Sequence, residues 1–309
     1  MAVYEVFSQP LAIKYKSSLC SKSTCFCLIT SLLSLICPFL ISYYTQGFWK
    51  KVDVYREQPD VSFKHKMLLV LETKSPQELI FWSTYKSLNQ LINPHSQQIV
   101  PSIEHREEDF NMDGKRDELQ MTIEVPLTKQ DVVSVKLILI FDYKLYLYSN
   151  LHMESAIYIH YSTSLPGSAF SAFGELSLHQ REPLSHTGQD TRFNNPVIEV
   201  SSTELPPTRL ENILLSYSRR NVTTSFQNVY PVWEAGRAAN ESFKINLVVL
   251  YPEVTILYRT GFWQLIKWAL VQYMAIFIIF SAIVWKLKSY VFEKQWISTI
   301  VTSPVKSKT

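Results

Sequence analysis

Cysteine is scarce and confined. The chain has four, Cys20, Cys25, Cys27 and Cys37, and none lies beyond position 37. No disulfide can staple the long stretch that follows, so whatever folds there is held by packing alone. Glycine is also rare, seven in 309 residues, which excludes a flexible Gly-rich linker. Patterns that carry catalysis are missing. There is no Gly-x-Ser-x-Gly, no His-Glu-x-x-His and no phosphate-cradling Gly loop. His65, His95, His105, His152, His160, His179 and His186 show no tight ligand spacing. The expectation is a protein that is not an enzyme and takes no small-molecule substrate. A strong charge imbalance is absent too. The net charge is +3, with Lys and Arg interleaved with Asp and Glu, so no nucleic-acid footprint exists.

Charge is wholly missing from two stretches. Ser23 to Gln46 holds only apolar residues and small or uncharged polar ones. A helix of about 20 residues crosses a bilayer core of about 30 Å. Its Ser, Thr and Cys side chains need no external partner, because hydroxyls can bond back to their own helix. The polar lead is long and no small-x-small cleavage site is clear, so the reading is an uncleaved anchor. Trp268 to Trp285 is also free of charge, and Phe262 to Trp285 reads as a second span if Lys267 snorkels to the headgroups. Neither span carries Asp, Glu or Arg, so no ion pathway is indicated. Gln272 is positioned to bond another helix.

The lysines after the second span, Lys286, Lys288, Lys294, Lys306 and Lys308, argue for a cytosolic C-terminus. Two crossings then put the N-terminus in the cytosol. The expected layout is a cytosolic segment 1–22, spans 23–46 and 262–285, an extracytoplasmic domain 47–261 and a cytosolic tail 286–309. Two N-glycosylation sequons, at Asn221 and Asn240, fall in the region this layout exposes. Cys20, Cys25 and Cys27 read either as small apolar helix residues or as S-palmitoylation sites beside the membrane. Gly47-Phe48-Trp49 and Gly261-Phe262-Trp263 meet the same interface. They read as an aromatic belt, or as a pair of glycines that lets the spans approach.

Between the spans the period is two. Leu119, Met121, Ile123 and Val125 alternate with polar residues. Val135, Leu137, Leu139, Phe141, Tyr143 and Leu145 share one face, and Ile138 and Ile140 on the other suggest cover on both sides. Phe243 to Tyr251 gives another strand, with weaker candidates at Val61 to Val70, Met153 to His160 and Gly174 to Gln180. About one helix is expected, capped by Thr208 with Glu211 and ending at Arg219 and Arg220. The fold class is therefore a two-pass membrane protein, with two transmembrane helices flanking a mainly-β, antiparallel sandwich-like domain.

The most specific local signal runs from Asp109 to Asp117. Side-chain oxygens of Asp109, Asn111, Asp113 and Asp117 stand at loop positions 1, 3, 5 and 9, with Gly114 at 6 and the Lys115 carbonyl at 7. That spacing can wrap Ca2+. It resembles the calcium loops of integrin-type propeller repeats. It is not an EF-hand, because Gln120 stands at position 12. The other reading is a solvated hairpin turn made by Asp113-Gly114.

One family matches these features in order. Leu19-Cys-Ser-Lys22, Gly47-Phe-Trp49, Glu57-Gln-Pro59, Arg106-Glu-Glu-Asp109 with its loop, Arg220-Asn-Val-Thr-Thr224, Gly236-Arg-Ala-Ala239, Gly261-Phe-Trp263 and Val271-Gln-Tyr273 resemble the transmembrane protein 231 family. The resemblance implies a two-pass protein of the ciliary transition zone, partnered by tectonic proteins and other transition-zone membrane proteins. It implies a part in the diffusion barrier at the cilium base, in cilium assembly and in Hedgehog signalling. It offers no catalytic residues. The competing reading is a glycosylated two-pass accessory subunit of a transporter or channel. Such domains are typically disulfide-bonded, and this one has no cysteine.

Overall fold

The alternation of apolar residues becomes two packed sheets. The structure is a computed structural model, and it describes residues 13–45, 47–75, 78–92, 99–128, 130–198, 206–238 and 240–302. It divides into a β unit, Val52–Arg259, and a helical unit, Met1–Lys51 with Thr260–Thr309.

The helical unit holds β1 (Lys14–Lys16), α1 (Lys22–Tyr44), α4 (Phe262–Glu293) and β14 (Ile300–Thr302). The β unit begins with β2 (Val52–Glu57), β3 (Asp60–Thr73), β4 (Leu79–Ser83), α2 (Lys86–Ile92), β5 (Ser102–Glu108), β6 (Glu118–Val125) and β7 (Val132–Leu145). It continues with β8 (Asn150–Ser162), β9 (Gly167–Gln180), β10 (Gln189–Asp190), α3 (Pro206–Ser218), β11 (Val222–Ala235), β12 (Phe243–Leu250) and β13 (Val254–Arg259).

One five-stranded sheet has the order β10-β8-β7-β3-β4, and the other β11-β9-β12-β6-β5. The pairs are antiparallel except β10 with β8 and β12 with β9. β13 and β2 form a separate antiparallel pair. The inward rows of β6 and β7 meet in a core with Ile245, Leu247 and Val249 of β12. Each of these side chains is almost completely buried, which is how a unit without disulfides is held.

The first sheet is covered on its other face as well. Ile138 and Ile140 pack with Leu88 of α2, Val197, and Ile213 and Tyr217 of α3. α3 is pinned through one hydroxyl. Tyr217 OH accepts the N–H groups of Ala156 (3.0 Å) and Thr224 (2.7 Å). Thr224 Oγ1 in turn donates to the Ala156 carbonyl at 2.9 Å. The helix starts at Pro206, two residues before the Thr208 expected as its cap; Pro fits a first turn, where its missing N–H costs nothing. Arg220 lies past the helix end, and its Nη1 donates to the carbonyls of Glu154 (3.0 Å) and Phe193 (3.2 Å). α2 and the strands β2, β4, β5, β11 and β13 add to the elements expected from periodicity.

In the helical unit α1 and α4 pack on each other. Lys288 Nζ donates to Ser31 Oγ at 2.9 Å, and Phe26 and Phe292 meet edge to face at 6.0 Å. Only 11% of the most apolar window of each helix is buried, unlike the core helix of a soluble protein. The hydroxyls bond back as expected, Thr30 Oγ1 to Phe26 O at 2.8 Å and Ser42 Oγ to Pro38 O at 2.7 Å. α4 continues past Trp285 to Glu293, since nothing between them breaks a helix.

Candidate functional site

The Asp109–Asp117 loop joins the hairpin strands β5 and β6. Its side chains close it from within. Asp109 Oδ2 accepts the Gly114 N–H (2.9 Å), Asn111 Oδ1 the Asp113 N–H (2.9 Å) and Asp113 Oδ1 the Lys115 N–H (2.8 Å). Asp117 Oδ2 takes the N–H groups of Phe110 (2.7 Å) and Asn111 (3.3 Å), and its Oδ1 takes Gln58 Nε2 at 2.7 Å. The Gln58 bond comes first among the causes that hold the Asp117 carboxyl below its ordinary range. Gly114 has φ +86°, the left-handed turn for which glycine is suited, and Met112 has φ 58°. Lys115 Nζ bonds the Gln58 carbonyl at 2.6 Å, tying the loop to the segment between β2 and β3.

Two observations bear on a cation. Asp109 Oδ1 is buried and accepts no hydrogen bond, so one oxygen is held in reserve. Against this, among the described residues no three His, Cys, Asp or Glu side chains converge on one point. The loop stands on its own Asx turns, and a cation would add to a closed structure.

A second polar cluster lies on the first sheet. Glu154, 2% exposed, meets Lys64 at 3.0 Å and Lys66 at 3.7 Å, and its Oε1 accepts the Val197 N–H at 2.8 Å. Asp142 pairs with Lys144 and His152, each at 2.8 Å. Burial pushes the Asp142 carboxyl up, but bonds from Lys144 and His152 hold it below its usual range. These groups neutralise one another and fasten the segment after β10 to the sheet. They form a structural network.

Sequence spacing gave no sign of one pair. His65 stands in a bulge of β3 with φ 54°, and its ring lies 4.7 Å from that of His105 on β5, centroid to centroid. Beside them Glu107 Oε1 accepts the Phe63 N–H at 2.8 Å and Oε2 meets Arg116 at 2.7 Å. A side chain of one sheet thus satisfies an unpaired donor of the other. The rings are 40 positions apart in sequence, beyond any local signal.

Of the sequons, Asn240 is exposed, with φ 67°, and Asn221 is half-buried just before β11, its carbonyl accepting the Arg181 N–H at 2.9 Å. Cys20 and Cys25 are exposed, and Cys27 is half-buried. In the helical unit a Cβ at Gly47 would lie 2.9 Å from Gln272 Nε2, and Gly47 has φ +110°. The amide end of Gln272 can swing aside, so it is the positive φ that favours glycine at 47. Gly261 has φ −69° as the N-cap of α4, a value any residue adopts.

Comparison with known proteins completes the description. A family model for transmembrane protein 231 matches residues 1–301. Transmembrane protein 231 of Xenopus tropicalis is 42% identical over 308 residues, covering 99% of this chain and 98% of that one. The Gallus gallus protein is 41% identical, with 99% and 96% covered, and the Homo sapiens protein 40%, with 97% and 95% covered. A solved proton-activated chloride channel overlaps 87% of this chain and 97% of its own, at 9% identity and a TM-score of 0.25, too slight a likeness to carry an argument. A match along nearly the whole chain, with relatives similar from end to end, places this membrane protein in the transmembrane protein 231 family.

Proposed function

We propose that this chain is a non-enzymatic membrane component of the ciliary transition zone. In this reading it works in the tectonic-like complex and helps limit exchange between the ciliary and plasma membranes. In the same reading it contributes to cilium assembly and to Hedgehog signalling. Full-length family membership is the observation that supports the reading. The tagged chain is expected in a narrow band between basal-body and axoneme markers, in complex with tectonic proteins. Uniform staining along the shaft contradicts the proposal.

The proposed topology keeps residues 1–22 and 286–309 in the cytosol, spans at 23–46 and 262–285, and residues 47–261 outside. The C-terminal lysines and the two sequons support it. Asn240, exposed in a turn, is the more accessible acceptor, and Asn221 the less. Exposed Cys20 and Cys25 are the preferred palmitoylation candidates, with Cys27 behind them. Calcium at Asp109, Asn111, Asp113, the Lys115 carbonyl and Asp117 belongs to the same proposal. It is a weak site in which Asp109 Oδ1 supplies the spare oxygen.

A further inference from the structure

The second sheet leaves one face bare. Its inward rows fill the core, while the helices of the β unit, α2 and α3, pack on the first sheet. Cross-strand register places Tyr230 of β11 beside Phe173 of β9, and Phe173 beside Val248 of β12. Tyr230 is 70% exposed, Val232 48%, Phe173 44% and Leu250 40%. Hydrophobic side chains grouped in this way on a soluble surface mark a contact site more often than an accident.

The rest of the face is polar with an excess of carboxylates. Glu104 and Glu108 of β5, Glu124 of β6, Glu175 of β9 and Glu234 of β11 share its parity, as does Glu118 of β6, which is buried and accepts a bond from Gln120. Arg106 and Lys244 are the cations among them, and they are spent on Glu108 (2.8 Å) and Glu124 (2.9 Å). Glu104 and Glu175 have no basic partner among the described residues.

We propose that this face docks a different protein, through an apolar segment bordered by Lys or Arg. Three arguments select that occupant. A second copy would set net negative charge against net negative charge. A lipid surface presents phosphates, which the carboxylates repel. Strand addition along the edge of β11 is obstructed, because Pro231 withholds a donor and the bulge at Asn228, φ 52°, breaks the ladder. The partner therefore lies across the face. The inference holds whichever membrane carries the protein.

The test is site-specific photocrosslinking of the full-length chain in cells whose own copy is replaced. Benzoylphenylalanine is placed at Phe173 or at Tyr230, with exposed Tyr146 as the control position. The expected result is an adduct from both face positions and not from the control. Mass spectrometry should map it to an apolar segment of another protein with Lys or Arg within a few residues. Glu104→Lys with Glu175→Lys should lower the yield by about threefold or more, through loss of charge complementarity, with the melting temperature unchanged. Adducts to a second copy, to lipid or to an acidic segment overturn the proposal. So does a yield no higher than that at Tyr146, or one indifferent to the charge reversal.

Discussion

Asp117 shows most plainly what a single side chain does here. Its two oxygens accept two backbone N–H groups of its own loop and the amide of Gln58. Asp117→Ala removes all three bonds and is expected to destabilise the protein by about 1 kcal/mol or somewhat more, read as a lower Tm. The pH dependence has a fixed sign. The folded carboxyl titrates below its ordinary range, so its contribution is complete above the unfolded value, near pH 4, and is lost as pH falls through the folded one. The gap between wild type and Asp117→Ala should thus be widest at neutral pH and close in acid. Calcium adds a second reading of the same melt. Millimolar calcium should raise the wild-type Tm over chelator, and Asp113→Ala should abolish the rise while His105→Ala keeps it. Equal melting with and without calcium leaves the loop as a hairpin turn alone. A tight polar loop turning at Gly114 was legible from spacing. Its closure by backbone donors was not, because it depends on φ values that sequence spacing does not report.

Elements were legible where one row of side chains runs unbroken into the core. β6 alternates cleanly because its other row is polar, and β7 keeps its inner row unbroken although Ile138 and Ile140 are buried on the opposite face. β5 was missed because it is a charged edge strand, and β11 because its bulge and Pro231 break the period of two. α3 starts at Pro206, two residues before Thr208, because proline fits a first turn, while the Thr208 side chain lies outside what the structure describes. What holds α3 is Tyr217 OH, buried against β8 and β11. Tyr217→Phe leaves two buried N–H groups without an acceptor and should cost about 2 kcal/mol. Hydrogen exchange should report α3 opening before the sheets; unchanged protection in α3 contradicts this account. In the helical unit Gly47→Val places a side chain where Gln272 Nε2 now sits and strains a positive φ. Disulfide trapping between cysteines introduced on α1 and α4 should weaken in that variant and persist in Gly261→Ala.

The whole molecule joins two apolar helices to a β unit whose core needs no disulfide. The proposed topology makes a direct prediction. Endoglycosidase should shift the wild-type band, and Asn221→Gln with Asn240→Gln should remove the shift. Protease that cuts the β unit in sealed vesicles from the cytosolic side contradicts it. The central claim is a barrier role, and fluorescence recovery at the cilium measures it. In cells lacking the endogenous relative, a bleached plasma-membrane protein should re-enter the ciliary membrane quickly. Restoring this chain should slow that re-entry to the level of unaltered cells. Equal recovery in deleted, restored and unaltered cells would contradict the account.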